Sequence, residues 1–210
     1  RGSKVIVTDH HLPGATLPEA DAIVNPQLGS GPAFRNLCGA GVAFYLLLAL
    51  RARLRGEGAF ASAPEPDLSS LLDLVALATV ADLVPLDRNN RILVEAGLRR
   101  VRGGRACAGI AALIEVAGCD ARTLGASDLG FSIAPRINAA GRLEDMSLGI
   151  ECLLTGDAAR ARELAALLHG INAGRRDLQE SMVADAEAML GGVDAGGAVG
   201  VALFDPAWHQ

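Results

Sequence analysis

Val5-Ile6-Val7-Thr8-Asp9-His10-His11 is the stretch from which the rest of the chain can be read. Its apolar run is short and β-branched, as a buried parallel strand should be. It stops at one acid and two imidazoles before the breaker pair Pro13-Gly14. Three candidate metal or phosphate ligands therefore lie at the carboxyl end of a strand. In open α/β sheets ligands bind at that edge, because the loops diverge there and leave a crevice. The tripeptide alone has little specificity, and the commoner alternative is a turn in which an acid satisfies a neighbouring ring.

The chain has 210 residues, enough for one generous domain or for one domain and a piece of another. Half the residues are apolar and only 3% are aromatic, so the core must be built from Ala, Leu, Val and Ile, which favours helix-rich packing. A net charge of −5 creates no global field for a polyanion. Any nucleic-acid contact has to come from local arginines, since Lys4 is the single lysine. Cys38, Cys107, Cys119 and Cys152 are widely spaced, with neither CxxC spacing nor the density of a disulfide scaffold, and read as reduced, mostly buried thiols of a cytoplasmic protein. No stretch has the length of a membrane span, and the amino terminus lacks a signal-peptide pattern.

Along the chain, 22–26 reads as a second short strand ended by Pro26, and 39–55 as a helix apolar nearly all round, hence buried on several sides. Asp67 is a plausible N-cap for a helix whose stripe is Leu71, Leu72, Val75, Leu77 and Ala78. That helix runs out at Thr79-Val80-Ala81-Asp82-Leu83-Val84-Pro85, where a carboxylate in apolar surroundings needs a partner. Asp82 either caps a neighbouring backbone or faces a cation. Asn89 begins an amphipathic helix ending in Arg99, Arg100, Arg102 and Arg105; such a cluster suits the helix dipole, with phosphate contact as the minority reading.

A further short helix is expected over 109–117. In 132–142 (Ser132-Ile133-Ala134-Pro135-Arg136-Ile137-Asn138-Ala139-Ala140-Gly141-Arg142) two arginines and an asparagine sit among small residues, with a proline that interrupts or begins a helix. This fits phosphate or base contact, or else a packing motif with the arginines paired to Glu144 or Asp145. From the Asp157 cap a helix runs to about Leu190. Leu164, Leu168, Ile171, Leu178, Met182 and Met189 form a narrow seam on it, suited to bridging two lobes rather than filling one core. A hinge-like loop and a β-branched run over 198–204 then begin something new.

Three stretches, Val7-Thr8-Asp9-His10-His11, Thr79-Val80-Ala81-Asp82-Leu83-Val84-Pro85-Leu86 and Ala134-Pro135-Arg136-Ile137-Asn138-Ala139-Ala140-Gly141-Arg142, resemble in order and spacing the DHH phosphoesterase superfamily, in particular its RecJ-type single-strand-specific 5′→3′ exonucleases. The resemblance covers essentially the whole chain. It implies an α/β fold: the C-terminal part of a parallel-sheet, helix-rich DHH domain over 1–155, a connector helix over 156–192, and over 193–210 the first strand of a truncated DHHA1-type domain.

It further implies that His10 and Asp82 bind Mn²⁺ or Mg²⁺. His11 would contact metal or the scissile phosphate, and Asp9 would coordinate or orient the neighbouring imidazole. Arg136, Asn138 and Arg142 would hold the backbone of single-stranded DNA. A single-strand-binding protein or a helicase is the implied protein partner, and no membrane is involved. The family's Asp-x-Asp-x-Asp-type motif occurs nowhere in these residues, so the chain on its own is expected to be inactive. Two alternatives remain: a DHH phosphoesterase acting on short oligonucleotides or cyclic dinucleotides, and a non-catalytic scaffold. The third motif argues against the first, and the retention of Asp9, His10, His11 and Asp82 against the second.

Overall fold

The computed structural model describes residues 2–29, 31, 34–143, 145–192 and 196–208, without the side chains of 142 and 143. Strands β1 (Ile6–Thr8) and β2 (Ala22–Val24) pair in parallel, in the register Ile6–Ala22, Val7–Ile23 and Thr8–Val24. The ladder is lengthened by Asp21 N–H donating to the Val5 carbonyl (2.8 Å) and Asp9 N–H to that of Val24 (3.1 Å). Parallel pairing brings the residues that follow each strand to one common edge, so 9–11 and 25–27 become neighbours. The burial expected of β1 is not found: Val5 is 46% and Ile6 64% exposed. Among the described residues the sheet has two strands, and β1 has β2 as its sole ladder partner.

Helix α1 (Gly39–Gly56) starts at Cys38, whose sulfur accepts from the Gly41 N–H at 3.3 Å. It buries Val42 and Phe44 but leaves Leu47 and Leu50 exposed, so it is covered on one side rather than several. Asp67 does cap, but through a 3₁₀ turn (Leu68–Leu71) that leads into α2 (Leu72–Ala81). Helix α2 is the axis of the molecule. Val75 packs with Leu37, Val42, Phe44 and Leu93 in one cluster, while Ala76 and Leu77 face the larger helical core. Its buried Asp73 accepts from the Cys107 N–H at 2.7 Å and lies 3.8 Å from Arg100, tying α2 to the next two helices.

Helix α3 (Arg88–Arg102) begins before the expected Asn89, because Asp87 supplies the cap by accepting from the Asn90 N–H (2.9 Å). Its terminal arginines are used within the protein. Arg99 and Arg102 lie near Glu95, Arg100 near Asp73, and Arg102 donates to the Leu124 carbonyl. Helices α2 and α3 cross closely at Gly97, where a Cβ would fall 2.2 Å from the Leu72 carbonyl oxygen and 2.4 Å from Ala76 Cβ. Helix α4 (Ala108–Val116) follows, and its Gly109 meets the Cys152 backbone in the same way.

The third motif lies on a single helical rod: α5 (Ala126–Asp128), a π-helical segment (Leu129–Ile133) and α6 (Ala134–Leu143). Pro135 lies in the first turn of α6, just after that wider segment, so its missing N–H falls where the bonding pattern is already changing and the rod continues past it. Helix α7 (Ser147–Leu154) leads to α8 (Ala158–Leu190), capped by Asp157. Ala161, Leu164, Ala165, Leu168 and Asn172 are buried, so the first half of α8 fills the core; beyond Asn172 most residues are exposed. The strand expected over 198–204 is not formed among the described residues: the segment has no ladder partner, and Val199 is fully exposed.

The seam between α6 and α8 is closed by Arg136, which is 6% exposed. Its Nε donates to His169 Nδ1 at 3.1 Å, and a terminal nitrogen donates to the Ser132 carbonyl. Burial, and secondarily the nearby Arg176, pushes the guanidinium pKa down.

Two stability measurements test this packing. Gly97→Ala should lower unfolding free energy by about 2 kcal/mol in urea titration, although alanine is the better helix former, because the overlap is with backbone; an unchanged or higher midpoint would contradict the crossing. His169→Ala should cost about 1–3 kcal/mol by leaving Arg136 Nε without its acceptor, and His169→Gln should recover part of it. Equal stability of all three forms would show that the seam does not depend on this bond.

Candidate functional site

The edge shared by β1 and β2 is held by a small polar network. Asp9 Oδ1 lies 2.8 Å from His11 Nδ1 and accepts from the His11 N–H at 3.3 Å. The His11 ring, followed by the backbone N–H groups of His10 and His11, holds the Asp9 carboxyl below the usual carboxylate range. From β2, Asn25 is 8% exposed: its Oδ1 accepts from the Gln27 N–H (2.9 Å), and its Nδ2 donates to the His11 carbonyl (2.9 Å) and to Asp9 Oδ2 (3.4 Å). Gln27 Nε2 donates to the His10 carbonyl at 3.3 Å. The turn after β1 is thus fixed by side chains from the turn after β2.

With its backbone pinned, His10 turns inward while His11 remains 76% exposed. The His10 ring lies over the start of α1, where a Cβ at Gly39 would be 3.6 Å from Cδ2. Its Nε2 is 3.4 Å from Asp82 Oδ2. Asp82 closes α2: its N–H bonds the Ala78 carbonyl, and Leu83 follows with φ 56°, a left-handed conformation rare for a residue with a side chain. The Asp82 carboxylate thus faces the His10 ring across a cleft. Cys38, packed 3.5 Å from Thr79 Oγ1, anchors the first turn of α1 against α2.

The cleft has a volume of about 350 Å³ and is lined by His10, Asp82, the 38–40 turn and, from α6, Asn138. The structure therefore gathers His10, Asp82 and Asn138 from three distant motifs. Asp9 and His11 pair with each other beside it. Arg136 is inside the α6–α8 seam rather than free at a surface, and among the described residues its partners there are His169 and the Ser132 carbonyl, not Asp145. The Arg142 side chain and Glu144 lie outside the described residues. Asn25, Gln27 and the Cys38–Gly39 start of α1 escaped sequence reading; their one signal was Asn25-Pro26 directly after a strand.

An imidazole and a carboxylate suit a hard or borderline divalent ion. Ligands about 2.1 Å from a common ion stand about 3.0–3.5 Å apart at angles of 90–110°, and the His10–Asp82 separation falls in that interval. The pair is only part of a ligand set: among the described residues no three His, Cys, Asp or Glu side chains gather around one point.

The chain as a whole is similar to known proteins. The model of the DHH family, N-terminal domain, matches residues 1–79. The single-stranded-DNA-specific exonuclease RecJ of Dickeya dadantii (strain 3937) is 52% identical over all of this chain, and that of Thermus thermophilus is 39% identical over 99% of it. The chain spans only 38% and 28% of those two relatives. A crystal structure of an exonuclease RecJ bound to manganese superposes on the whole chain with a TM-score of 0.79 at 40% identity, the match covering 49% of that protein. The structure of RecJ from Thermus thermophilus in complex with Mn²⁺ gives the same TM-score at 38% identity, covering 99% of this chain and 29% of that one. Family model, sequence relatives and structural neighbours converge: residues 1–79 match the DHH family's N-terminal domain, and the whole chain is similar to RecJ-type exonucleases.

Proposed function

We propose that this chain supplies part of a divalent-metal phosphoesterase centre that removes nucleotides from the 5′ end of single-stranded DNA during recombination and repair. The observation that carries this reading is the 3.4 Å approach of His10 to Asp82 in a cleft also lined by Asn138. The names of the relatives support the substrate class.

His10 Nε2 and Asp82 Oδ2 would hold Mn²⁺ or Mg²⁺, the ions named with related structures. When bound, such an ion supplies Lewis-acid polarisation of a phosphoryl oxygen and activation of a water. The chain's own residues do the positioning. Asp9 fixes the His11 ring, which is exposed at the rim and free to donate to a phosphate oxygen. The 38–40 turn points the amino end of α1 into the cleft, where N–H groups without intrahelical partners favour an anion. Asn138 offers an amide to the strand's backbone.

Arg136 serves the same end indirectly, by seating α6 on α8, and Arg142 is given a strand-binding role by the family motif alone. Residues 1–155 with the buried first half of α8 form the metal-bearing body, the exposed half of α8 to about 192 is the connector, and the family resemblance assigns 193–210 to a DHHA1-type unit. A helicase or single-strand-binding protein that exposes a 5′ end is the partner class, and the four free cysteines support a cytoplasmic setting.

Two donors are fewer than the four to six ligands that divalent ions take. Calorimetric titration of the chain with Mn²⁺ should therefore show weak binding, which Asp82→Ala abolishes; indifference to both metal and substitution would favour a scaffold. On 5′-labelled single-stranded DNA with Mn²⁺, the 210-residue chain alone should release no nucleotides above background. Robust digestion would contradict the reading of an incomplete centre.

A further inference from the structure

We infer that Phe131 is a stacking platform for a base of the bound single strand, one or two nucleotides from the phosphate held in the cleft. This rests on the cleft being a single-strand phosphodiester site and adds to it a subsite that recognises bases.

The chain has few aromatic residues: five Phe, one Tyr and one Trp. Phe34 and Phe44 pack edge-on against Tyr45. Phe131 instead is 80% exposed although it lies within a helical rod whose inner side is fully buried at Leu129, Ile133, Ala139 and Ala140. Phe204 is comparably exposed, but on the segment without secondary structure, so Phe131 is the one held on a rigid element.

Two observations on its own rod place it relative to the cleft. The preceding residue, Gly130, abuts the last turn of α2: a Cβ there would be 3.2 Å from Val80 Cγ1, two residues before Asp82. On the same rod, Asn138 reaches the cleft seven residues later, about 10 Å along a helix axis. Within the rod, Phe131 and Asn138 are exposed and Pro135 is half-buried, whereas Ala134 and Arg136 between them are buried. The i, i+7 spacing puts Phe131 on the side of the rod that presents Asn138, outside the cleft's own lining and about one to two nucleotide steps along from it. Every base has a π-face, so such a platform binds single strands without reading sequence. A duplex, whose bases are already stacked, cannot use it. The π-helical segment that carries Phe131 departs from regular α geometry, as such segments often do at functional sites.

The test is a two-by-two binding comparison with the full chain and Mn²⁺, read from the anisotropy of labelled oligo(dT) and of an abasic strand with the same number of phosphates. Wild type should bind oligo(dT) about tenfold more tightly than Phe131→Ala, Phe131→Tyr should restore most of the loss, and the abasic strand should bind both forms equally. The residue is exposed, so the alanine variant keeps its fold. An equal loss on both strands, or no loss on either, overturns the platform while leaving the cleft reading intact. Absence of any binding by wild type overturns both.

Discussion

The meeting of one imidazole and one carboxylate, His10 from the end of a strand and Asp82 from the end of a helix, is the constraint on which the rest depends. Neither group could be placed by its own element alone. The strand end is fixed because β2 runs parallel to β1, which puts Asn25 and Gln27 where they can bond the carbonyls of His11 and His10. The helix end is fixed because α2 is held on several sides, by Gly97 of α3, by Asp73 bonding the start of α4, and by Gly130 of the motif-bearing rod. These are buried contacts that change little with surface conditions. The cleft is therefore preorganised by packing, and the polar groups at its rim complete it.

The same packing explains the division of labour in the third motif. Its two described polar side chains point in opposite directions. Arg136 goes inward to His169 on α8, while Asn138 goes outward to the cleft. A buried guanidinium with two acceptors orients a helix firmly, because leaving any of its donors unpaired inside the protein is costly. Arg136 thus sets the rotation of the helix that presents Asn138, and a residue that resembles a phosphate contact in sequence acts as a structural anchor in the fold. The buried half of α8 belongs to this arrangement, and its exposed half continues beyond it.

Much of this was legible in the residues. The two strands, the boundaries of most helices, the caps at Asp67 and Asp157, the free thiols and the three motifs are local signals, set by periodicity and capping chemistry. What escaped was non-local. Nothing near Val5 or Ile6 shows how far the sheet extends or which face is covered, so their burial was overestimated. The apolar face of α1 looked buried because hydropathy does not say how many neighbours a helix has. The run over 198–204 has strand-forming residues but no partner, and a strand is a property of pairs. Arg136 was misplaced because its acceptor, His169, is thirty-three residues away. Asn25 and Gln27 could be recognised as part of the site only once the parallel register was known.

The central claim is that one cation touches both His10 and Asp82. Sub-stoichiometric Mn²⁺ added to isotope-labelled chain broadens the NMR signals of nuclei near the ion, so the most direct measurement follows the His10 ring and the Asp82 carboxylate in a single titration. The account predicts that both broaden together, at the same metal concentration and before any other histidine or carboxylate. Broadening of one without the other, or earlier broadening at Asp9 and His11, would contradict it.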